Sequence, residues 1–209
     1  MKTFFLGLNK HLAHKYNAIY SPVISIHPYK KNCPFIKKSF KRLYLTTHVI
    51  LTSKNASNLF IKRSKYISKL STKNLNKKFT FLVIGKSTAN ILEKYNIISY
   101  KIAPVPTSEG IIYLLKSLNP SKHKIFYPHS TKSRSIILEY LQKENFSFVN
   151  CPLYTTYYKK NIFPHKNSKF IFTSPSTVHS FSKYNKISYS QNDYICIGPI
   201  TKAALDQIP

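Results

Sequence analysis

The sequence predicts an α/β protein: two α/β domains with parallel sheets, joined by a two-stranded crossing, the first domain discontinuous. Three observations predict it. Residues 169–181 (KFIFTSPSTVHSF) and 194–205 (YICIGPITKAAL) each read as a short buried strand that runs through a turn into a helix. The same pair stands earlier, at 48–60 (HVILTSKNASNLF) and 81–92 (FLVIGKSTANIL). Thr52-Ser53 then matches Thr173-Ser174, Gly85 matches Gly198, and Thr88 and Thr201 each follow the glycine by three residues. The chain has four glycines, so finding two at one place in the pattern favours a duplicated layout. Finally, Tyr-Lys-Lys-Asn occurs at 29–32 and again at 158–161. Read as the two crossings between domains, these tetrapeptides give a first domain of 1–28 with 159–209 and a second of 30–156. Coincidence in a chain rich in Lys and Tyr is the competing reading.

The elements follow in order. Residues 4–8 suit a strand and 11–16 a short helix. Residues 18–20 and 23–26 suit strands, with Pro22 and Pro28 as breaks. Strands are then predicted at 49–52, 81–84, 97–102, 125–127 and 146–150. Helices are predicted at 55–61, 87–94, 109–118 and 133–142. Thr107 and Ser108 are cap candidates before an apolar face of Ile111, Ile112, Leu114 and Leu115. Alternation of this kind, with short loops, implies parallel strands and right-handed crossovers. The stretch 62–78 is basic and poor in apolar periodicity, and reads as a mobile connection. In 169–181 the run Phe170-Ile171-Phe172 is the strand, and Pro175 suits the first helical turn. Near the end Ile195, Cys196 and Ile197 are the strand and Gly198-Pro199 the turn.

Composition bounds the function. A chain of 209 residues with 43% apolar residues can bury a core. No apolar run approaches a membrane span. The opening MKTFFLGLNK lacks a small-residue cleavage site and suits a first strand, so a cytoplasmic location is expected. Cys33, Cys151 and Cys196 are odd in number and scattered, which supports neither a disulfide framework nor a zinc site. The net charge is +27, and the first 92 residues hold no Asp or Glu. Paired catalytic carboxylates and a carboxylate-rich Mg²⁺ site are thereby excluded from that half. A field of this sign concentrates anions. A drift in composition toward Lys, Ile and Asn is the other account of it.

Several motifs fail. Gly85-Lys86-Ser87 would need an earlier glycine at position 80 to be a phosphate loop, and that residue is Thr80. There is no dinucleotide fingerprint. His11 and His14 share a helix face but have no third ligand in reach, so no metal is expected. Ser174 lacks the flanking glycines of a hydrolase elbow.

Taken in order, the motifs resemble those of the uroporphyrinogen-III synthases, over nearly the whole chain. They are Phe-Thr-Ser-Pro-Ser at 172–176, followed by Ile197-Gly198-Pro199 and Thr201, with Thr52 to Ala56 and Val83 to Ala89 before them. The stretch PVISIHP at 22–28 resembles the family's first crossover. Leu153-Tyr154-Thr155 resembles its second, where a tyrosine faces the cleft. A Thr-Arg pair commonly ends the family's first strand, and here Gly7-Leu8 stands near that place.

The resemblance implies a cofactor-free and metal-free cyclase of tetrapyrrole synthesis, here expected to be monomeric. Its substrate is hydroxymethylbilane, a linear tetrapyrrole bearing eight carboxylates. Helix N-termini and hydroxyls suit such a ligand. Thr52, Ser53, Thr88, Thr173, Ser174, Ser176 and Thr201 are candidate carboxylate contacts, or helix caps, or both. Tyr154 is the candidate proton donor at the departing hydroxyl, with a hinge-packing tyrosine as the alternative. Two rival classes stand beside the enzyme. One is a nucleic-acid binder using 16 Tyr and dense Lys, against which the basic residues are spread along the chain. The other is a non-catalytic anion-binding module of two α/β domains, of the periplasmic type, for which the chain shows no secretion signal. The expectation is a small-molecule substrate, with no nucleic acid and no membrane.

Overall fold

The structure, a computed structural model, describes residues 1–164 and 166–208. His165 and Pro209, both inside the range expected for the first domain, lie outside the described residues. In chain order the elements are β1 (Lys2–Phe5), α1 (Lys10–Lys15), β2 (Ile19–Tyr20), β3 (Ile24–Pro28), α2 (Pro34–Arg42), β4 (His48–Leu51), α3 (Lys54–Ile67) and α4 (Thr72–Lys78). They continue with β5 (Thr80–Val83), α5 (Lys86–Glu93), β6 (Tyr100–Ile102), α6 (Ser108–Lys116), β7 (Ile125–Ser130), α7 (Ile136–Lys143) and β8 (Phe148–Tyr158). The chain ends with β9 (Ser168–Phe172), α8 (Pro175–Ser182), β10 (Asn192–Cys196) and α9 (Pro199–Asp206).

Two compact units result, one of residues 1–27 with 156–209 and one of 28–155. The boundaries fall within β3 and β8.

In the first unit the strand order is β10-β9-β1-β2. The pairs β10–β9, β9–β1 and β1–β2 are parallel, as the strand-helix alternation requires. Aromatic rings fill its core. Phe170 lies 4.7 Å from Phe181 and 5.6 Å from Phe4, centroid to centroid, and Phe163 closes the group at 5.2 Å from Phe4. β10 is an edge strand, with Ile195 38% and Ile197 36% exposed. The expectation of a buried strand there is corrected: with a neighbour on one side only, β10 alternates between covered and solvent-facing residues.

The six-stranded sheet has the order β3-β8-β7-β4-β5-β6; β7, β4, β5 and β6 lie wholly in the second unit, and β8–β7, β7–β4, β4–β5 and β5–β6 are parallel. Alternate strand residues serve opposite faces. Ile50, Leu82, Ile125 and Tyr127 meet Ile111, Leu115, Ile137 and Leu141 of α6 and α7. Phe126 meets Phe40 of α2 and Phe60 of α3, at 5.3 and 5.7 Å.

The duplicated layout appears in the topology. β4 with α3 lies beside β5 with α5, as β9 with α8 lies beside β10 with α9. Ser53 (φ −160°) and Ser174 (φ −167°) are the extended N-caps of the first helix in each pair. Gly85 and Gly198 hold the cap position of the second. Gly198 needs to be glycine, since its φ is +101°. Gly7 needs to be glycine for another reason: a Cβ there would stand 2.4 Å from Thr173 Oγ1.

Residues 62–78 correct the expectation of a mobile connection. α3 runs on to Ile67, Ser71 caps α4 by accepting from Asn74 N–H at 3.2 Å, and Leu70 and Leu75 are buried. Periodicity failed there because Arg63 and Ser64 occupy buried positions that an apolar pattern would assign to Leu or Ile. α2 was not anticipated either, although Pro34 at its start and buried Ile36 and Phe40 four apart are its signature.

His48, the first residue of β4, is buried, with Nδ1 2.9 Å from Thr47 Oγ1 and its ring 5.0 Å from that of His123. Burial, then the neighbouring His123 and Lys101, pull it from its ordinary 6.5 down to about 4. Its folded value is the lower one, so the unfolded chain binds the proton more readily. The stability it contributes is present above pH 6.5 and is lost as pH falls through about 4. Urea unfolding at pH 7 and pH 4 should show that loss, and His48→Phe should reduce it. Equal pH slopes for both proteins would contradict the assignment.

Candidate functional site

In the second unit β4, β5 and β7 lead at their carboxyl ends to the N-termini of α3, α5 and α7, the place where open parallel sheets bind ligands. Ser53 is the N-cap of the 14-residue α3. Its Oγ accepts from Ala56 N–H at 3.0 Å, which closes the first turn. The same Oγ lies 3.0 Å from the hydroxyl of Tyr154.

Tyr154 reaches Ser53 because β8 is irregular. His129 of β7 pairs with Pro152 and Ser130 with Tyr154, so Leu153 is an extra residue on β8. A one-residue slip moves following side chains to the other face, so this bulge decides where the phenol points.

Tyr127 lies near it, and the neighbouring Thr52 and Ser133 hydroxyls act on the Tyr127 phenol. Burial raises the pKa of both phenols above the ordinary value, for Tyr154 against the opposing Ser53 hydrogen bond. Both are therefore neutral, protonated donors at pH 7, and Tyr154 is held by Ser53. His129 stacks on Tyr127 at 4.5 Å, with Nε2 2.6 Å from Asn150 Oδ1.

At the loop after β7, Arg134 grips Glu109 through two bonds of 3.1 and 3.2 Å. Glu109 falls to about 2, through its own backbone N–H first, then Thr107 and Arg134. Thr107 caps α6 and accepts from Gly110 N–H at 3.3 Å.

The first unit holds the second group of predicted residues. Thr173, Ser174 and Ser176 lie at the β9–α8 turn and Thr201 in the first turn of α9, with β9 and β10 adjacent. Thr177 Oγ1 accepts from Thr173 N–H and Ser174 N–H at 3.1 and 3.2 Å and donates to the Ser174 carbonyl. Ser174 Oγ and Ser176 Oγ are 3.1 Å apart.

The structure thus brings Thr52, Ser53 and Tyr154 together in one unit, and Thr173, Ser174 and Ser176 in the other. Those five hydroxyl residues besides Tyr154 are part-exposed. Thr88 and Thr201 are buried at 2% and 4%, each in the first turn of its helix, where the backbone N–H groups face the strand ends. Sequence reasoning missed Tyr127, Ser133, Thr177 and Arg134. Thr177 had a local signal, three residues after the Ser174 cap. Tyr127 had none, since sheet pairing brings it to Thr52.

No group of three or more His, Cys, Asp or Glu side chains is placed to hold a metal ion among the described residues. No helix of the described residues is long and apolar enough to cross a membrane. Cys33, Cys151 and Cys196 are free.

The family model described as Uroporphyrinogen-III synthase HemD matches residues 9–208. No curated protein sequence matches. Among solved structures, a mutant uroporphyrinogen III synthase of the extremely thermophilic bacterium Thermus thermophilus superposes with TM-score 0.69 at 13% identity, covering 99% of this chain and 88% of that one. The uroporphyrinogen-III synthetase of Helicobacter pylori 26695 gives 0.67 at 19% identity, with the same two coverages. At these identities the likeness is one of fold.

Replacing Ser53 by Ala removes a helix cap as well as the phenol's partner. Thermal or urea unfolding should show a loss of about 1 kcal/mol, the usual cost of a lost cap hydroxyl. Unchanged stability would mean that the Ser53 oxygen does not close α3.

Proposed function

Given that this chain belongs to the uroporphyrinogen-III synthase family, we propose that it converts hydroxymethylbilane to uroporphyrinogen III, with loss of water and inversion of ring D. The observation that carries the reading is the family match across residues 9–208. The hydroxyl-lined helix N-termini and the buried neutral phenol at the strand ends support it.

In this reading the part-exposed hydroxyls of Thr52, Ser53, Thr173, Ser174 and Ser176, and the helix first turns that hold Thr88 and Thr201, take the substrate's carboxylates. No counter-charge among the first 92 residues competes for them. Tyr154 donates to the departing hydroxyl, directly or through a water. The C–O bond breaks as the pyrrole nitrogen pushes in its electron pair, which leaves a cationic azafulvene and water. The far pyrrole attacks through its substituted carbon and gives a spiro intermediate. That intermediate fragments and recloses with the ring turned. The uncatalysed bilane closes without inversion, so most of the enzyme's work is holding the folded chain for the spiro route.

Ser53 has a defined part. Its oxygen already accepts from Ala56 N–H, and it fixes the Tyr154 hydroxyl at 3.0 Å, so the phenol is oriented before substrate arrives. Because burial holds the phenol above its ordinary value of about 10, its proton stays available through neutral pH.

The reading extends to a monomer working in the cytoplasm on a small molecule, with no nucleic-acid partner. Three unpaired cysteines suit a reducing compartment.

Tyr154→Phe removes one oxygen and keeps the ring's packing. Turnover to the type III product should fall roughly tenfold to a hundredfold, the lower range of general-acid effects, with little change in KM. Wild-type turnover should show no alkaline loss from this group below about pH 9. Thr173→Ala with Ser174→Ala should instead raise KM and leave kcat nearly intact. Full activity in a folded Tyr154→Phe protein would make Tyr154 a packing residue and remove it from the chemistry.

A further inference from the structure

Arg63 is 3% exposed and lies on α3, ten residues beyond the Ser53 cap. A buried guanidinium is costly unless its donors are satisfied, and it is usually met by a carboxylate. None is near in sequence, because the first acid of the chain is Glu93. The salt bridges of the described residues involve Arg134, Lys169 and Lys202, not Arg63. Its charged-group neighbours are the thiols of Cys151 and Cys33, and burial pushes Cys151 up to about 12, so that thiol is neutral at pH 7.

The guanidinium is satisfied by carbonyls instead. Nη1 donates to the Leu153 carbonyl at 3.2 Å, and Nη2 donates to the Tyr29 carbonyl. Tyr29 N–H donates to the same Leu153 carbonyl at 3.0 Å. Arg63, Tyr29 and Leu153 thus form a closed set of three.

Leu153 is the extra residue of the β8 bulge, and its carbonyl belongs to the peptide that carries the Tyr154 nitrogen. Holding that carbonyl fixes the plane of the peptide entering Tyr154. The phenol at the other end is held by Ser53, from the cap of the same helix. α3 therefore grips Tyr154 twice, at its backbone through Arg63 and at its hydroxyl through Ser53. Without the first grip, β8 can shed the bulge and carry Tyr154 to the other face of the sheet.

We infer that Arg63 is a positioning residue for the reaction: by clamping the Leu153 and Tyr29 carbonyls it fixes the β8 bulge and so aims the Tyr154 phenol. It touches no substrate and acts only through Tyr154. The inference rests on the proposed role of Tyr154, and its test separates the two.

The variants are Arg63→Met, which keeps the buried stem and removes the donors, and Arg63→Lys, which keeps a charge that cannot span both carbonyls. Each is combined with Tyr154→Phe, and each single variant is crystallised. In Arg63→Met, kcat should fall about tenfold to a hundredfold with KM within about twofold, since displacements near 1 Å cost that much. Arg63→Lys should fall between Met and wild type. In the Tyr154→Phe background Arg63→Met should cost nothing further, because the group it aims is gone. The crystal structure of Arg63→Met should show the Tyr154 hydroxyl out of hydrogen-bonding distance of Ser53.

Multiplying effects in the double variant would overturn the inference and leave the Tyr154 reading standing. So would a crystal structure with Tyr154 unmoved. Full activity in Tyr154→Phe alone would overturn the acid reading, and the crystal structure would still decide whether Arg63 sets the bulge. If Arg63→Met fails to fold, Arg63→Lys carries the same cycle and the same structural comparison.

Discussion

One oxygen has two duties in the second unit. Ser53 Oγ closes the first turn of α3 through Ala56 N–H and meets the Tyr154 hydroxyl 3.0 Å away. The first duty is a local consequence of sequence, a serine before a helical run. The second spans 101 residues and exists only because β4, β7 and β8 are neighbours in one parallel sheet. A helix cap is thereby coupled to the placement of a buried phenol. The dipole of α3 and the bulge in β8 both converge on that contact.

The same strand-turn-helix device occurs in both units, which explains how one chain presents several anion-favouring helix ends. In each unit a serine caps one helix and a glycine stands at the cap of its neighbour. Serine supplies a side-chain acceptor for an orphan N–H, and glycine leaves backbone N–H groups open to a ligand. Few acids stand against 33 Lys and Arg, and where acids do occur near the strand ends they are taken, as Glu109 is by Arg134. A substrate with eight carboxylates would meet little competition.

What was legible in the sequence had local causes. The Thr-Ser turns, the Ile-Gly turns and the apolar strands before them are written within a few residues, and they point to the parallel α/β class. α3 beyond residue 61 and α4 were not legible. There the buried face of α3 is built from Arg63 and Ser64, whose identities signal surface until their partners are known. Arg63 is the clearest case: a basic residue in a basic stretch reads as solvated, yet two backbone carbonyls from distant parts of the chain bury it. Tyr127 was invisible for the same reason, since only the pairing of β7 with β4 sets it near Thr52. Tyr154 stood out only through its resemblance to a family motif.

Directing the ring closure of a linear tetrapyrrole demands more of this chain than binding anions. The most direct test of that role is to incubate the purified protein with freshly generated hydroxymethylbilane and separate the isomers formed. Type III product should form in large excess over type I, and faster than in a protein-free control. Type I product alone, at the rate of that control, would contradict it.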